Sequence, residues 1–224
     1  IVLVTPNNPC GVEYSNNIVM AFYELAKKYG LALIIDETYR DFHSQNKMPH
    51  DLFKQDGWNK TLVHLYSFSK AYRLTGHRVG AIVASEQRLV EVEKFLDAVS
   101  ICPNQLGQKA ALWGMRNLSE WLKGERLEIL RRKQAIIDGF EVLSEKGWHL
   151  MGVGAYFAYV QHPFSLPSNE LCKKLVDNVA VLTLPGTMFV PEEDKTRERQ
   201  ILIAFANIST SDIKTLIARL ATVR

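Results

Sequence analysis

The run 31-LALIIDE-37 is apolar at five consecutive positions and then closes on two acids. A strand that is wet on one face alternates apolar with polar residues. A short run with no alternation is buried on both faces, the pattern of a parallel sheet covered by helices. Three other runs share this character: 1-IVLVTP-6, 61-TLVHLYS-67 and 78-RVGAIVA-84. Between the first two, Ser15 can cap a helix reaching about Tyr29, with Val19, Phe22, Leu25 and Ala26 on one side and Gly30 as its stop. Strand, helix, strand with buried strands is the βαβ signature of an α/β fold with a mostly parallel sheet.

After Ala84 the pattern changes. Helices are expected from Ser85 to about Ser100, near Gln105–Met115, and from about Leu118 to Lys146 with a kink at Gly124. The remainder reads as α+β: strands at 155–161, 181–186 and 201–207, a helix at 168–179, and a last helix from Ser211. We place a boundary inside the long helix, giving residues 1–130 to one domain and 131–224 to a smaller α+β domain. With 224 residues and 47% apolar content, a sizeable core is affordable. The net charge of +3 comes from mixed-sign helical runs such as 123-KGERLEILRRK-133, a solvated face rather than a nucleic-acid patch. Cys10, Cys102 and Cys172 are odd in number and widely spaced, which argues against a disulfide framework or a zinc site and for a reducing, cytoplasmic setting. No stretch is apolar for long enough to suggest a membrane span.

The strand ends carry the chemistry. Asn8 follows the first strand, Asp36 ends the second, Ser67 and Lys70 follow the third, and Arg78 begins the fourth. Open α/β sheets bind ligands beyond the carboxyl ends of their strands. Taken singly, Asp36 could cap a helix, Asn8 could shape a turn, Tyr39 could pack, and Lys70 and Arg78 could be surface cations. Taken together they match one ligand. A desolvated Lys70 is a nucleophilic amine. Arg78 and Ser67 suit a phosphate. Asp36 suits a protonated pyridine nitrogen, and Asn8 and Tyr39 can donate to a phenolate oxygen. That set describes pyridoxal 5′-phosphate.

The segments 5-TPNNPCG-11, 36-DETYRDF-42, 67-SFSKAYRLTGHRVG-80 and 182-LTLPGTMF-189 resemble, in order and spacing, those of the class I/II aminotransferases, which are fold-type I pyridoxal-phosphate enzymes. The resemblance implies a three-layer α/β/α cofactor domain followed by a smaller C-terminal domain. It also implies an upstream part outside this chain, carrying an N-terminal arm and a glycine-rich phosphate loop. It makes Lys70 the residue of the internal aldimine, Asp36 the partner of the pyridine nitrogen, Asn8 and Tyr39 the contacts of the phenolic oxygen, and Ser67 and Arg78 the phosphate holders, with Ser69 a further candidate. It implies amino-acid and 2-oxo-acid substrates and a homodimer, with 100-SICPNQ-105 approaching the neighbouring site. Cys10 stands where the family often has Thr and is read as packing; His64 and His77 are read as ordinary strand and loop residues.

One departure stands out. The family holds the substrate carboxylate with an arginine near the C-terminal strand, and Leu202 occupies that place in 202-LIAFA-206. Arg199 and Arg197 lie upstream, and strand alternation puts Arg199 on the opposite face. Leucine cannot fork a carboxylate. A lyase or decarboxylase on the same fold is therefore an alternative to transamination. A cofactor-binding regulatory module without turnover is a more remote one. The segments 152–160 and 183–189 suggest apolar and aromatic substrate walls.

Overall fold

The computed structural model describes residues 1–223, which form two compact units. The first comprises Ile1–Pro6 and Glu13–Arg126. The second comprises Asn7–Val12 and the chain from Leu127 onward.

The first unit is built on a four-stranded sheet in the order β1 (Val2–Val4), β2 (Leu33–Asp36), β3 (Leu62–Ser67), β4 (Gly80–Val83). β1, β2 and β3 are parallel, and β4 runs antiparallel to β3. Helix α1 (Asn16–Lys28) makes the first crossover. The Ser15 side chain accepts from Ile18 N, and Lys27 and Lys28 complement the dipole of the last turn. Its buried residues, Val19, Tyr23 and Ala26, follow helical spacing and pack with Leu3, Leu33, Ile35, Leu52 and Leu62. The β2-to-β3 crossover holds no α-helix; it is made of 3₁₀ turns at Arg40–Phe42, Leu52–Lys54 and Trp58–Lys60. The fourth strand begins at Gly80, two residues later than the sequence pattern suggested, because Arg78 adopts a left-handed conformation (φ 52°) that ends a 3₁₀ turn. Helices α2 (Glu86–Val99) and α3 (Gln105–Asn117) follow, capped by Ser85 and Asn104.

Helix α4 (Ser119–Ser144) is continuous through Gly124, so the expected kink is absent. Its second half, Ile129 onward, buries Ile136, Phe140 and Leu143 in the core of the second unit. That unit carries a second four-stranded sheet, β5 (His149–Gly154), β6 (Phe157–Gln161), β8 (Gln200–Ala204) and β7 (Leu184–Pro185), in that spatial order and antiparallel throughout. β5 escaped the sequence pattern because its glycines break the apolar run. Helices α5 (Ser168–Val179) and α6 (Thr210–Thr222) cover one face. The face they cover presents Ala158, Val160, Ile201 and Ile203 to Trp148, Leu171, Leu175, Phe205, Ile213 and Leu220. On the opposite face lies Asn7–Val12. Gly11, at φ +68°, lies so close to β5 and β6 that a Cβ there would collide with Gly154 N and stand 2.9 Å from Phe157 O. Only glycine meets both demands.

Candidate active site

In the first unit the parallel register aligns Val4, Asp36 and Leu65, so Asp36 stands at the carboxyl end of the strands. It is half-buried; its Oδ1 accepts from Thr38 N at 2.9 Å, and its carbonyl accepts from Thr5 N at 3.0 Å. Because β4 is antiparallel, its start at Gly80 pairs with Ser67 at the end of β3. That geometry returns Arg78 to the same end of the sheet, as the strand-end reading required, though by a reversed strand.

Lys70 lies in the turn between them, half-buried. The turn is held by its own backbone: Phe68 N donates to Val79 O at 3.1 Å, Arg73 N to Lys70 O at 3.1 Å, and Leu74 N to Phe68 O at 3.3 Å. Thr75 Oγ1 donates to Ser69 O at 2.9 Å. Phe68 and Val79 are buried beneath it against Ala111 of α3. Ser69 N donates to Ser67 Oγ at 3.2 Å. Arg78 Nη1 donates to Thr75 O at 3.1 Å and reaches Ser69 Oγ at a long 3.4 Å. Half-buried Ser67, buried Ser69 and exposed Arg78 thus form one group of hydroxyls beside a guanidinium that is only loosely satisfied. Holding a non-glycine residue such as Arg78 left-handed costs about 1–3 kcal/mol, a strain that recurs at ligand clamps.

Behind Asp36 the chain is anchored by a charge cluster that sequence reading missed. Glu37 is fully buried. His64 Nε2 bonds its Oε2 at 2.7 Å, Arg40 Nη1 lies 3.2 Å from the same oxygen, and His50 Nε2 stands 3.4 Å from Oε1, outside hydrogen-bond geometry. Burial pushes the Glu37 pKa up, but His50, His64 and Arg40 outweigh it and hold the carboxyl at about 2. His64 is therefore not an ordinary strand residue; it pairs in register with Ile35, and alternation puts it on the face of the sheet toward which Glu37 also points. Tyr66 donates to Asp41 Oδ2 at 2.6 Å, tying β3 to the segment that carries the buried Tyr39.

Asn8 is exposed and belongs to the second unit, where Cys10 N donates to Asn7 Oδ1 at 3.1 Å. On the outer face of the second sheet, Tyr159 of β6 pairs with Leu202 of β8, and Leu184 of β7 pairs with Leu202 from the other side. Leu202 is 4% exposed. Arg199 precedes β8 and donates to His162 O at 3.1 Å. Arg197, in a 3₁₀ turn at Lys195–Arg197, donates to Gln200 Oε1 at 2.9 Å. Gln200 shares Leu202's face of the strand. Strand alternation could not place Arg197, because the strand has not begun there. Cys10 is half-buried; burial raises its pKa and the Arg197 charge opposes that. It therefore has an electrostatic neighbour that a packing role would not require.

Of the expected residues, Ser67, Ser69 and Arg78 meet in one cluster, with Lys70 in the turn they flank and Asp36 at the same end of the sheet. Tyr39 is buried close by in sequence, and Asn8 lies in the other unit.

The family model for aminotransferase class I and II matches residues 1–220. The chain is 27% identical over 225 residues to an aspartate aminotransferase of Sulfurisphaera tokodaii, covering 98% of this chain and 55% of that protein. It is 26% identical to an aspartate aminotransferase of Thermotoga maritima, covering 85% of this chain and 48% of the relative. The chain spans about half the length of the relatives it matches. Among solved structures, Escherichia coli YbdL, for which a methionine aminotransferase function is identified, superposes with a TM-score of 0.86 at 21% identity, over 99% of this chain and 57% of that one. The aromatic aminotransferase of Pyrococcus horikoshii superposes at 0.84, also with 21% identity, over 98% and 58%. These two likenesses are of fold. With the family model matched along nearly its whole length, the chain belongs to the class I and II aminotransferases.

Proposed function

We propose that this protein is a pyridoxal-phosphate-dependent aminotransferase that moves an amino group from an amino acid to a 2-oxo acid. The donor set suits the cofactor. Arg78, Ser67 and Ser69 offer a cation and neutral donors for a phosphate. Asp36 offers a carboxylate for the ring nitrogen, and Asn8 and Tyr39 offer donors for the phenolic oxygen. When bound, the cofactor supplies an aldehyde that condenses with amines and a ring that accepts the electron pair released at the substrate Cα. The chain's own residues do the rest. Lys70 supplies the resident amine and, once freed, takes the Cα proton on Nζ and returns it on the other side of the transfer. Asp36 keeps the ring nitrogen protonated, and the Glu37 cluster fixes the backbone from which Asp36 and Tyr39 project.

The single observation that carries this reading is the convergence of Ser67, Ser69 and a left-handed Arg78 around the Lys70 turn. In the same reading, residues 1–130 belong to a three-layer cofactor domain and 131–224 to a smaller C-terminal domain, and the protein works in the cytoplasm as a homodimer. The test uses the full-length holoenzyme with an amino donor and no acceptor. One equivalent of the donor's 2-oxo acid per site is expected, none from Lys70→Ala, and borohydride fixation followed by peptide mapping should label Lys70. Absence of label at Lys70 would refute the proposal. A second reading, a lyase or decarboxylase, is favoured by Leu202 and would instead release ammonia with pyruvate, or carbon dioxide.

A further inference from the structure

We infer that Arg73 is a positioning residue for Lys70: its left-handed backbone sets the turn that carries Lys70, and its side chain, clamped on Trp121 and Glu125 of α4, keeps that backbone in place. The role of Lys70 rests on the aminotransferase reading; the clamp itself rests on the geometry of the first unit.

Three observations lead here. First, the chain reverses directly after Lys70, and the backbone groups of the reversal are paired in a block. The carbonyls of three successive residues, Phe68, Ser69 and Lys70, accept from Leu74 N, Thr75 Oγ1 and Arg73 N respectively. The orientation of the Lys70 peptide is therefore dictated by residues 73–75. Second, the reversal turns on Arg73, at φ 55°. That region suits glycine, and a residue with a side chain is strained in it. Strain of this kind persists only where the surroundings over-determine the conformation. Third, α4 supplies such surroundings. The Arg73 guanidinium lies 5.4 Å from the centre of the Trp121 ring and pairs with Glu125 Oε2. Trp121 and Glu125 are four residues apart in α4, so both present the same face to it.

The residue between the turn and the clamp is held as well. The Tyr72 ring lies 5.4 Å from that of Phe68, and it approaches α3 so closely that a Cβ on Gly114 would stand 2.8 Å from Tyr72 Cδ1. Two arginines of this segment are left-handed, Arg73 and Arg78. Arg78 reaches the Ser69 hydroxyl, whereas the side chain of Arg73 bonds to α4 instead. The Arg73 side chain is 68% exposed, so its ion pair and its ring contact are individually weak. Their consequence is local: a reacting group moved out of place slows chemistry steeply while the fold as a whole loses little.

The experiment uses the full-length holoenzyme and two readouts, kinetics with an amino donor and hydrogen exchange of the Leu74 amide, which bonds across the turn. Arg73→Ala keeps the strained backbone and removes the clamp. Arg73→Gly removes the strain with the clamp. Trp121→Leu weakens the clamp and leaves the sequence of the turn intact. In Arg73→Ala, kcat should fall about 10-fold while the donor KM stays within about twofold. The Leu74 amide should exchange about 10-fold faster in the same variant. Trp121→Leu should move both readouts in the same direction by a few-fold. Arg73→Gly should bring both back to within about threefold of the wild type, a rescue that the loss of side-chain contacts alone would not give. Wild-type kcat and exchange in Arg73→Ala or in Trp121→Leu, or a glycine variant as impaired as the alanine one, overturns the inference and leaves amino transfer intact. Clamp-dependent exchange in a protein that transfers no amino group would instead overturn the aminotransferase reading and leave the clamp standing.

Discussion

The two units of this chain solve the burial problem differently. In the second, α5, α6 and the second half of α4 close over one face of the sheet, and Trp148, Leu143, Leu175, Ile201, Phe205 and Ile213 are sealed beneath them. In the first, α1 covers its part of the sheet, but α2 buries none of its residues. Phe95 and Val99 of α2 are 67% and 65% exposed. Between α2 and the sheet lies a cleft of about 800 Å³ lined in part by Leu65, Ile82, Leu89 and Leu96. Yet the first unit holds Lys70, Asp36 and Arg78. The edge that carries them is tied by backbone pairing and the buried Glu37 cluster in addition to the apolar core that α1 shares with β1, β2 and β3, whereas within these 224 residues α2 leaves its part of the first unit open. A residue's importance should therefore show in catalysis in the first unit and in stability in the second.

The largest expected effect breaks along that line. On the proposed function, Lys70→Ala should cut amino transfer by on the order of 10³-fold or more, since in that reading Lys70 is both the nucleophile and the proton carrier. Its thermal midpoint should move little, because the Lys70 side chain is half-buried and makes no side-chain hydrogen bond among the described residues. A concurrent collapse in stability would sink the contrast. Next comes Trp148→Ala in the second unit, where the indole is fully buried and edge-on to Phe164. A cost of about 3–5 kcal/mol in urea unfolding is expected, as for large aromatic truncations elsewhere.

Acid should separate the units. Glu37 has a folded pKa of about 2, below its ordinary 4.5. A depressed carboxyl stabilises the fold above its unfolded pKa, and that stability is lost as pH falls from about 4.5 toward 2. His162 is buried between Trp148 and Phe164 with neither ring nitrogen well bonded, and burial, aided by Arg199, lowers its pKa from 6.5 to about 4. Here the unfolded chain takes up the proton first, so stability falls as pH drops from 6.5 toward 4. Each contribution is on the order of 3 kcal/mol at its limit. Urea midpoints across pH 3–7 should lose the upper step in His162→Leu and the lower step in Glu37→Gln. If His162→Leu kept the upper step, the histidine would not be its source.

The same contrast sets what the sequence could tell. The continuous apolar runs revealed β1, β2 and β3, because parallel strands leave no wet face to break them. They could not reveal that β4 is reversed, since periodicity carries no direction, and so Arg78 was placed on a strand it precedes. The strand-end positions of Asp36 and Ser67, with Lys70 in the turn that follows, were legible because the apolar runs stop there. The Glu37–His64–His50 cluster was hidden because its members are 13 or more residues apart and paired only by register. Arg197 and Arg199 were named from the sequence but could not be placed by alternation, which holds only within a strand, and β8 begins at Gln200.

Phe95 offers the smallest effect and the sharpest test of the openness of the first unit. An aromatic ring two-thirds exposed has little apolar area to lose, and surface substitutions of this kind fall within about 0.5 kcal/mol. Phe95→Ser in the 224-residue chain should therefore leave the urea midpoint nearly unchanged. The serine also lowers helix propensity only slightly at this position. Were the cost to reach that of Trp148→Ala, the α2 face would have to be covered in solution, and the first unit would depend on apolar closure as heavily as the second.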